Sequence, residues 1–378
     1  MSYYTLIATT AFGLESYVAR ELHLFGCKDI KTDNGKVSFT GDVQDIVRCN
    51  IWLRCADRLL IKMNEFKAID FEELYQGVLS IPWENFIPEN GKMHVVGKSI
   101  KSTLFSVSDC QSIVKKAVIE AMKRKYSRSW FSEDGPVYKI EIALLKDIAT
   151  VTIDTSGAGL HKRGYRQGQG DAPIRETLAA AMVMQSRWDY KRIFADPFCG
   201  SGTIAIEAAL IGKNIAPGLY RNFIAEDWPN IPKKIWQSCR DQANEAIKEN
   251  SLSILASDID KRVFQKARNN AENAGIAESI TFQKKPVEEF SSSKRYGCIV
   301  CNPPFGERMS DRVEVEKLYR TMGEVFTRLD TWSFFILSAH PEFQKHFGRT
   351  ADKNRKLYNG RIKCYLYQYM GPLPNSRI

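Results

Sequence analysis

Three apolar, strand-like runs in the second half of the chain each break off into a signature that an ordinary turn does not need. Ile193-Phe-Ala-Asp-Pro-Phe-Cys-Gly-Ser-Gly-Thr203 passes through Gly200 and Gly202 into a helix-like stretch. Ile254-Leu-Ala-Ser-Asp-Ile-Asp260 ends in two carboxylates. Gly297-Cys-Ile-Val-Cys-Asn-Pro-Pro-Phe-Gly-Glu-Arg308 ends in a proline pair. Helical patterns at 173–185, 203–211, 262–274 and 313–329 alternate with strand patterns at 192–197, 253–257, 280–283, 296–301 and 332–338. A β pair near Lys356 and at 362–369 closes the chain. That alternation predicts an α/β fold: a mostly parallel, doubly wound sheet with a terminal antiparallel pair, binding its ligand outside the carboxyl ends of the strands. A polar stretch at about 213–250 reads as a helix-rich insertion.

The first two signatures describe one ligand. Glycine at 200 and 202 lets backbone approach a bound molecule closely. No Gly-Lys-Ser/Thr follows, so this is not a Walker loop, and the spacing is not that of a dinucleotide pyrophosphate site. Asp196 at the strand end suits an ammonium group and repels a phosphate. Asp258, at the tip of the second strand, can accept both hydroxyls of a ribose, although an Asp there is also a common helix N-cap. Ile259 can lie against a purine face. An adenosine with a cationic amino-acid tail is S-adenosylmethionine. The candidate cofactor-binding residues are therefore Asp196, Pro197, Phe198, Gly200, Gly202, Thr203, Asp258 and Ile259.

The third signature describes the acceptor. Pro303 and Pro304 hold the turn extended and carry no N–H. The Asn302 amide oxygen and the Pro303 carbonyl remain as two acceptors, matching the two hydrogens of an exocyclic amine. Phe305 offers a face on which an unstacked base can lie, and Gly306 permits close passage. Asn302, Pro303, Pro304 and Phe305 are the candidate catalytic residues, and either guanine N2 or adenine N6 fits them.

These motifs, in this order, resemble the class I, Rossmann-like methyltransferases that use S-adenosylmethionine, and the Asn-Pro-Pro-Phe form resembles the branch that methylates exocyclic amines of bases. Together with 157–166 and Arg355-Lys-Leu-Tyr-Asn-Gly-Arg-Ile-Lys-Cys364, they resemble the bacterial large-subunit rRNA guanine-N2 methyltransferase family. The resemblance spans essentially the whole chain and is strongest from Leu160. It implies a ferredoxin-like region (1–66), a THUMP RNA-binding domain (67–156), a linker (157–172) and a catalytic domain (173–378), with one methyltransferase domain and hence one reaction. It also implies 23S rRNA or a pre-ribosomal particle as partner. One departure stands out: after the strand at 280–283 the chain reads Lys284-Lys285, where many relatives of this class place a carboxylate or amide against the adenine.

The first half reads as two small α+β layers, with Asp33-Asn34-Gly35 as a hairpin turn. Its helix from about Ser108 to Tyr126 carries Lys115, Lys116, Lys123, Arg124 and Lys125, a solvated face or a phosphate-contacting one. His161, Lys162, Arg163 and Arg166 in the glycine-rich linker are further candidates for RNA contact. The chain of 378 residues carries 54 Lys+Arg against 44 Asp+Glu, a net charge of +10. Of that excess, +2 falls in residues 1–165 and +8 in 166–378, favouring a polyanionic partner.

No run reaches the roughly 18 apolar residues of a membrane span, and the N-terminus lacks the pattern of a signal peptide, so a cytoplasmic enzyme is expected. Nine scattered cysteines and five histidines suggest neither a disulfide framework nor a metal site. Cys199 reads as packing rather than as a nucleophile, Cys298 and Cys301 as core, Glu307 and Arg308 as a local pair, and Trp228 and Trp236 as packing residues. Two alternatives stay open: adenine-N6 methylation of RNA or DNA, and a non-catalytic ribosome-assembly factor with a vestigial cofactor pocket.

Overall fold

The computed structural model describes residues 3–128, 130–166, 174–305 and 312–374. Its contacts divide into two units. One comprises the residues to Thr10, Val18–Leu160 and Arg221–Gln242; the other comprises Ala11–Tyr17, His161–Tyr220 and the residues from Ala243 on.

The first unit is built on one seven-stranded sheet. In chain order its elements are β1 (Tyr4–Thr9), α1 (Glu15–Leu24), β2 (Lys28–Asp33), β3 (Lys36–Gly41), α2 (Val43–Trp52), β4 (Arg58–Lys67), α3 (Phe71–Leu79), β5 (Lys92–Ile100), α4 (Val107–Tyr126), β6 (Val137–Leu145) and β7 (Ile148–Asp154). The strands lie in the order β2-β3-β1-β4-β7-β6-β5. β2, with Lys28, Asp29, Lys31 and Asp33 exposed, is a charged edge that resists pairing with another chain. Asp42 caps α2 through a capping box with Asp45, and Asp70 caps α3. α4 lays Val114, Ala117, Val118, Ala121 and Met122 against β5 and β6.

The two α+β layers share one sheet, and β4 joins them. Leu59–Ile61 have the apolar character of a core strand, and Arg58–Ile61 pair with β1. On its other edge β4 pairs with β7 along its length, through a register shift between Lys62 and Asn64. That irregularity falls where polar Asn64 and Glu65 interrupt the apolar run. The strand in fact continues to Lys67 and joins both halves into one sheet.

The insertion is also less helical than its composition suggests. It contains a short 3-10 turn at Ile224–Asp227 and α7 (Lys233–Glu245). Its Arg221–Gln242 portion belongs to the first unit. Trp228, 2% exposed, stacks on Tyr138 of β6 with ring centroids 4.7 Å apart and donates its indole N–H to the Val137 carbonyl at 2.9 Å. Trp236 stacks on Phe223 at 5.3 Å.

In the second unit follow α5 (Glu176–Gln185), β8 (Phe194–Asp196), α6 (Thr203–Gly212), β9 (Ile254–Asp258), α8 (Lys261–Asn273), β10 (Ile280–Lys284), β11 (Cys298–Cys301), α9 (Arg312–Thr327), β12 (Ser333–Ser338), α10 (Phe343–Phe347), β13 (Lys353–Asn359) and β14 (Ile362–Tyr369). The order is β10-β9-β8-β11-β12-β14-β13. The first five run parallel, while β14 is antiparallel to β12 and β13. β8 and β11 are short and wholly buried, as central strands of a parallel sheet must be. After β8 the chain proceeds to β9 and β10 on one side, then crosses to β11 on the other, so the switch point lies between β8 and β11. Tyr319, Phe326, Phe334, Phe343, Phe347, Tyr367 and Tyr369 form an aromatic core on one flank of this sheet. The expected start of α5 at Pro173 lies outside the described residues.

Replacing Trp228 with alanine removes a fully packed indole and its hydrogen bond, and is expected to cost about 3–5 kcal/mol. Thermal denaturation checks it: a midpoint within a degree of wild type would mean that the stack does not hold the insertion.

Candidate active site

Parallel strands bring their carboxyl ends to one edge, so β8, β9 and β11 deliver Asp196, Asp258 and Asn302 to the same side of the sheet. The loop after β8 is fixed to its neighbour twice. The Cys199 N–H donates to the Ser257 carbonyl at 2.9 Å, and the Gly200 N–H donates to Asp258 Oδ2 at 2.9 Å. Asp258 Oδ1 accepts from the Asp260 N–H at 3.0 Å. Each carboxylate oxygen has a second lone pair, so Asp258 orders both loops and still has acceptor capacity. Asp260 caps α8, and Ile259 between them is 69% exposed.

Both loop glycines have φ in the left-handed region, +52° at Gly200 and +85° at Gly202. They differ in surroundings. A Cβ at Gly200 would meet nothing within 4 Å, whereas one at Gly202 would lie 3.1 Å from Ala267 Cβ. Gly200 keeps open space beside the loop, and Gly202 admits α8 against the start of α6.

Asp196 is 1% exposed. Its Oδ1 accepts from the Phe198 N–H at 3.2 Å, but its Oδ2 is buried without a partner. Burial pushes its carboxyl well above the usual carboxylate range, the Phe198 N–H opposes that shift, and neighbouring Asp258 adds to it. A buried, half-satisfied carboxylate calls for a positive donor. Pro197 is buried and Phe198 packs against the aromatic core.

Asn302 leaves β11 with its Oδ1 buried and unpartnered. Pro303 is buried, Pro304 exposed and Phe305 half-buried. The Pro304 carbonyl accepts from the Tyr319 hydroxyl at 2.7 Å. Gly306, Glu307 and Arg308 lie outside the described residues, as does 167–172 of the linker. Lys284 ends β10 opposite Asp258, and the Lys285 N–H donates to the Asp258 carbonyl at 3.0 Å.

Three groups of candidate residues are placed differently from expectation. Thr203 is 2% exposed and its hydroxyl accepts from the Arg166 guanidinium at 2.6 Å, so its side chain is engaged with the linker. Arg163 is 6% exposed and pairs with buried Glu207 at 3.3 Å, which excludes it from RNA contact. Arg166 also reaches Glu176 at 3.3 Å. The two linker arginines, Arg163 buried and Arg166 half-buried, thus form a brace behind the loop after β8. Its signal in the sequence is Glu207, a lone carboxylate on the otherwise apolar Thr-Ile-Ala-Ile-Glu-Ala-Ala-Leu run, which has to find a cation when buried. Lys162 is exposed and His161 half-buried.

On α4, exposed Arg124 donates to the Leu79 and Ile81 carbonyls at 2.9 and 2.7 Å and so tethers the helix within the first unit. Lys125 reaches the Glu84 carbonyl at 3.1 Å, Lys115 pairs with Glu133 at 2.7 Å, and Lys123 pairs with Glu120 at 2.6 Å. Lys116 lies 5.8 Å from the Tyr75 ring centre.

Cys199 is 5% exposed, and burial with Asp196 and Asp258 nearby pushes its thiol far up, the opposite of what a nucleophile requires. Cys298 and Cys301 are fully buried in β11. Among the described residues no group of three or more His, Cys, Asp or Glu is placed to hold a metal ion, and no helix is long and apolar enough to cross a membrane.

Residues 163–368, which carry all three signatures, match the family model described as RMKL-like, methyltransferase domain. The chain belongs to the RMKL-like methyltransferase family. Upstream, residues 5–60 match the RlmL ferredoxin-like domain and residues 68–154 the THUMP domain. This RMKL-like methyltransferase is 52% identical over 380 residues to the Bacillus subtilis (strain 168) protein named "Putative RNA methyltransferase YpsC", an alignment covering 100% of this chain and 98% of that one. A Listeria monocytogenes structure named "a predicted N6-adenine-specific DNA methylase" is 48% identical with a TM-score of 0.94, covering 98% of this chain and 97% of the other. SMU.472, solved as "a putative methyltransferase complexed with SAH", is 43% identical with a TM-score of 0.95, covering 99% and 100%. TrmN from Thermus thermophilus, at 18% identity and a TM-score of 0.70 over 98% of this chain and 100% of that one, shares the fold.

The raised Asp196 carboxyl gives a signed prediction. Its proton is held more tightly in the folded chain than in the unfolded one, so folding stability falls as pH rises from the unfolded value of about 4 through the folded one. Asp196→Asn keeps the acceptor for Phe198 and removes the charge. Its ligand-free thermal midpoint is expected to match wild type at the acid end and exceed it increasingly toward neutral pH. A variant less stable than wild type at neutral pH would contradict the assignment.

Proposed function

We propose that the protein transfers a methyl group from S-adenosylmethionine to the exocyclic N2 amine of a guanosine in 23S ribosomal RNA. The observation that carries this reading is a pair of buried oxygens without partners, Asp196 Oδ2 and Asn302 Oδ1. They stand at the ends of β8 and β11, adjacent strands about 5 Å apart at the switch point. The first suits an ammonium and the second an amine hydrogen. The THUMP match at 68–154 and the name of the Bacillus subtilis relative support RNA as substrate.

The residues fit the cofactor. Asp196 Oδ2 would accept from its ammonium group, which removes the penalty of the buried charge. Asp258 would accept from the ribose hydroxyls with its remaining lone pairs, exposed Ile259 would cover a purine face, and Gly200 leaves backbone room for the tail. When bound, S-adenosylmethionine supplies an electrophilic sulfonium methyl. On the acceptor side the target base is unstacked from the RNA and lies on Phe305. The Asn302 amide oxygen and the Pro303 carbonyl accept the two amine hydrogens. That aims the nitrogen lone pair and leaves the proton to depart to an acceptor or to water. Positioning carries most of the catalysis.

Adenine-N6 methylation is the second reading, since the same two acceptors hold that amine and the Listeria structure bears such a name. Mass spectrometry of rRNA nucleosides from cells lacking the gene separates the two. N2-methylguanosine in 23S rRNA is expected to fall; loss of N6-methyladenosine instead would transfer the assignment to adenine. Complementation with Asn302→Ala is expected to leave the modification absent while the purified variant still binds S-adenosylmethionine in a calorimeter. Full restoration by that variant would overturn both.

A further inference from the structure

The Asn302–Phe305 turn cannot hold itself. Pro303 and Pro304 have no N–H, so its middle offers acceptors only and its place must be set by a donor from elsewhere. Among the described residues that donor is Tyr319, on α9. Its ring is fully buried, edge-on to Phe343 at 4.8 Å and to His340 at 5.7 Å, and its hydroxyl gives its one hydrogen to the Pro304 carbonyl at 2.7 Å.

The direction of the remaining bonds then follows. Ser338 Oγ, at the end of β12, lies 3.2 Å from the Tyr319 oxygen. With the Tyr319 hydrogen committed to a carbonyl, Ser338 must donate to it. Ser338 Oγ in turn accepts from the His340 N–H at 3.1 Å. Three hydrogen bonds thus run one way, from the backbone after β12 through Ser338 and Tyr319 to the turn. Burial pushes the Tyr319 phenol up to about 12, with the Ser338 hydrogen bond opposing the shift, so it stays a donor over the physiological range.

We infer that Tyr319, supported by Ser338, is a positioning residue for methyl transfer: by holding the Pro304 carbonyl it fixes where Asn302 and Pro303 present their two acceptors. The inference rests on the base-amine reading of Asn302. An angstrom of misplacement at a reacting centre costs up to about a hundredfold in rate, whereas the cofactor is assigned to Asp196 and Asp258 on other strands. The chain should therefore act on turnover and not on cofactor affinity.

Three single variants of the full chain and the Tyr319/Ser338 double variant test this. Single-turnover transfer of tritiated methyl from S-adenosylmethionine to rRNA from cells lacking the gene measures the chemical step. Calorimetry measures cofactor binding, and hydrogen exchange of the peptide spanning 298–305 without cofactor reports the turn. Tyr319→Phe keeps the packed ring; its rate is expected to fall roughly ten- to a hundredfold, with unchanged cofactor affinity and faster exchange at the turn. Ser338→Ala is expected to lose several-fold, and the double variant to be no slower than Tyr319→Phe, because both act through one hydrogen bond. If Tyr319→Phe does not fold, the several-fold loss in Ser338→Ala with intact cofactor binding carries the test. A wild-type rate in Tyr319→Phe, or equal losses of rate and affinity, overturns the positioning role. Asn302→Ala is the control: if it stays active, the base-amine reading falls, whereas its inactivity beside a fully active Tyr319→Phe overturns this inference alone.

Discussion

A carboxylate buried to 1% exposure with one oxygen bare is costly, and much of the second unit serves to keep Asp196 in that state. β8 is only three residues long and lies between β9 and β11, with all three of its residues buried. The loop that follows could fold over the carboxylate and satisfy it. It is prevented from doing so because Cys199 and Gly200 are bonded sideways to β9. The carboxylate is left half-satisfied by construction, and under the proposed function the cofactor's ammonium group is what would relieve it. Strain of this kind is the usual companion of function.

The brace behind the loop answers the same constraint from the other side. Arg163–Glu207 is a fully buried pair and Arg166–Glu176 a half-buried one, joining the linker residues to helices α6 and α5, and Arg166 reaches on to the Thr203 hydroxyl. Such pairs contribute little net stability against apolar replacements, but removing one partner leaves an uncompensated buried charge. Here both arginines reach α6, Arg166 at its first residue and Arg163 at Glu207.

What was legible in the sequence was local. The Asp196–Thr203 and Asn302–Phe305 turns advertise themselves because the residues that carry their chemistry are contiguous, and strand-plus-turn patterns survive without knowledge of the fold. The couplings that make those turns work are not local. Gly200 meets Asp258 across 58 positions, Arg163 meets Glu207 across 44, and Tyr319 meets Pro304 from the next helix. No periodicity encodes such pairs. The continuity of the first sheet was hidden for a related reason: the register shift in β4 falls where polarity suggests that a strand stops.

Charge shows the same division between composition and placement. A net +10 suggests a polyanion, and its concentration in the second half suggests where contact occurs. Yet several of the arginines are engaged within the protein, each donating to main-chain carbonyls. Arg124 ties α4 to the residues after α3, Arg192 holds Tyr296 and Gly297 at the entry to β11, Arg221 holds Ala158 and Gly159, and Arg355 of β13 holds Gly13. The planar guanidinium, with five fixed donors, suits this stapling in a way that an ammonium does not. Counting Arg and Lys alike therefore overstates the cationic surface wherever arginines are enclosed. An RNA surface on this chain is better sought among its exposed lysines than in its net charge.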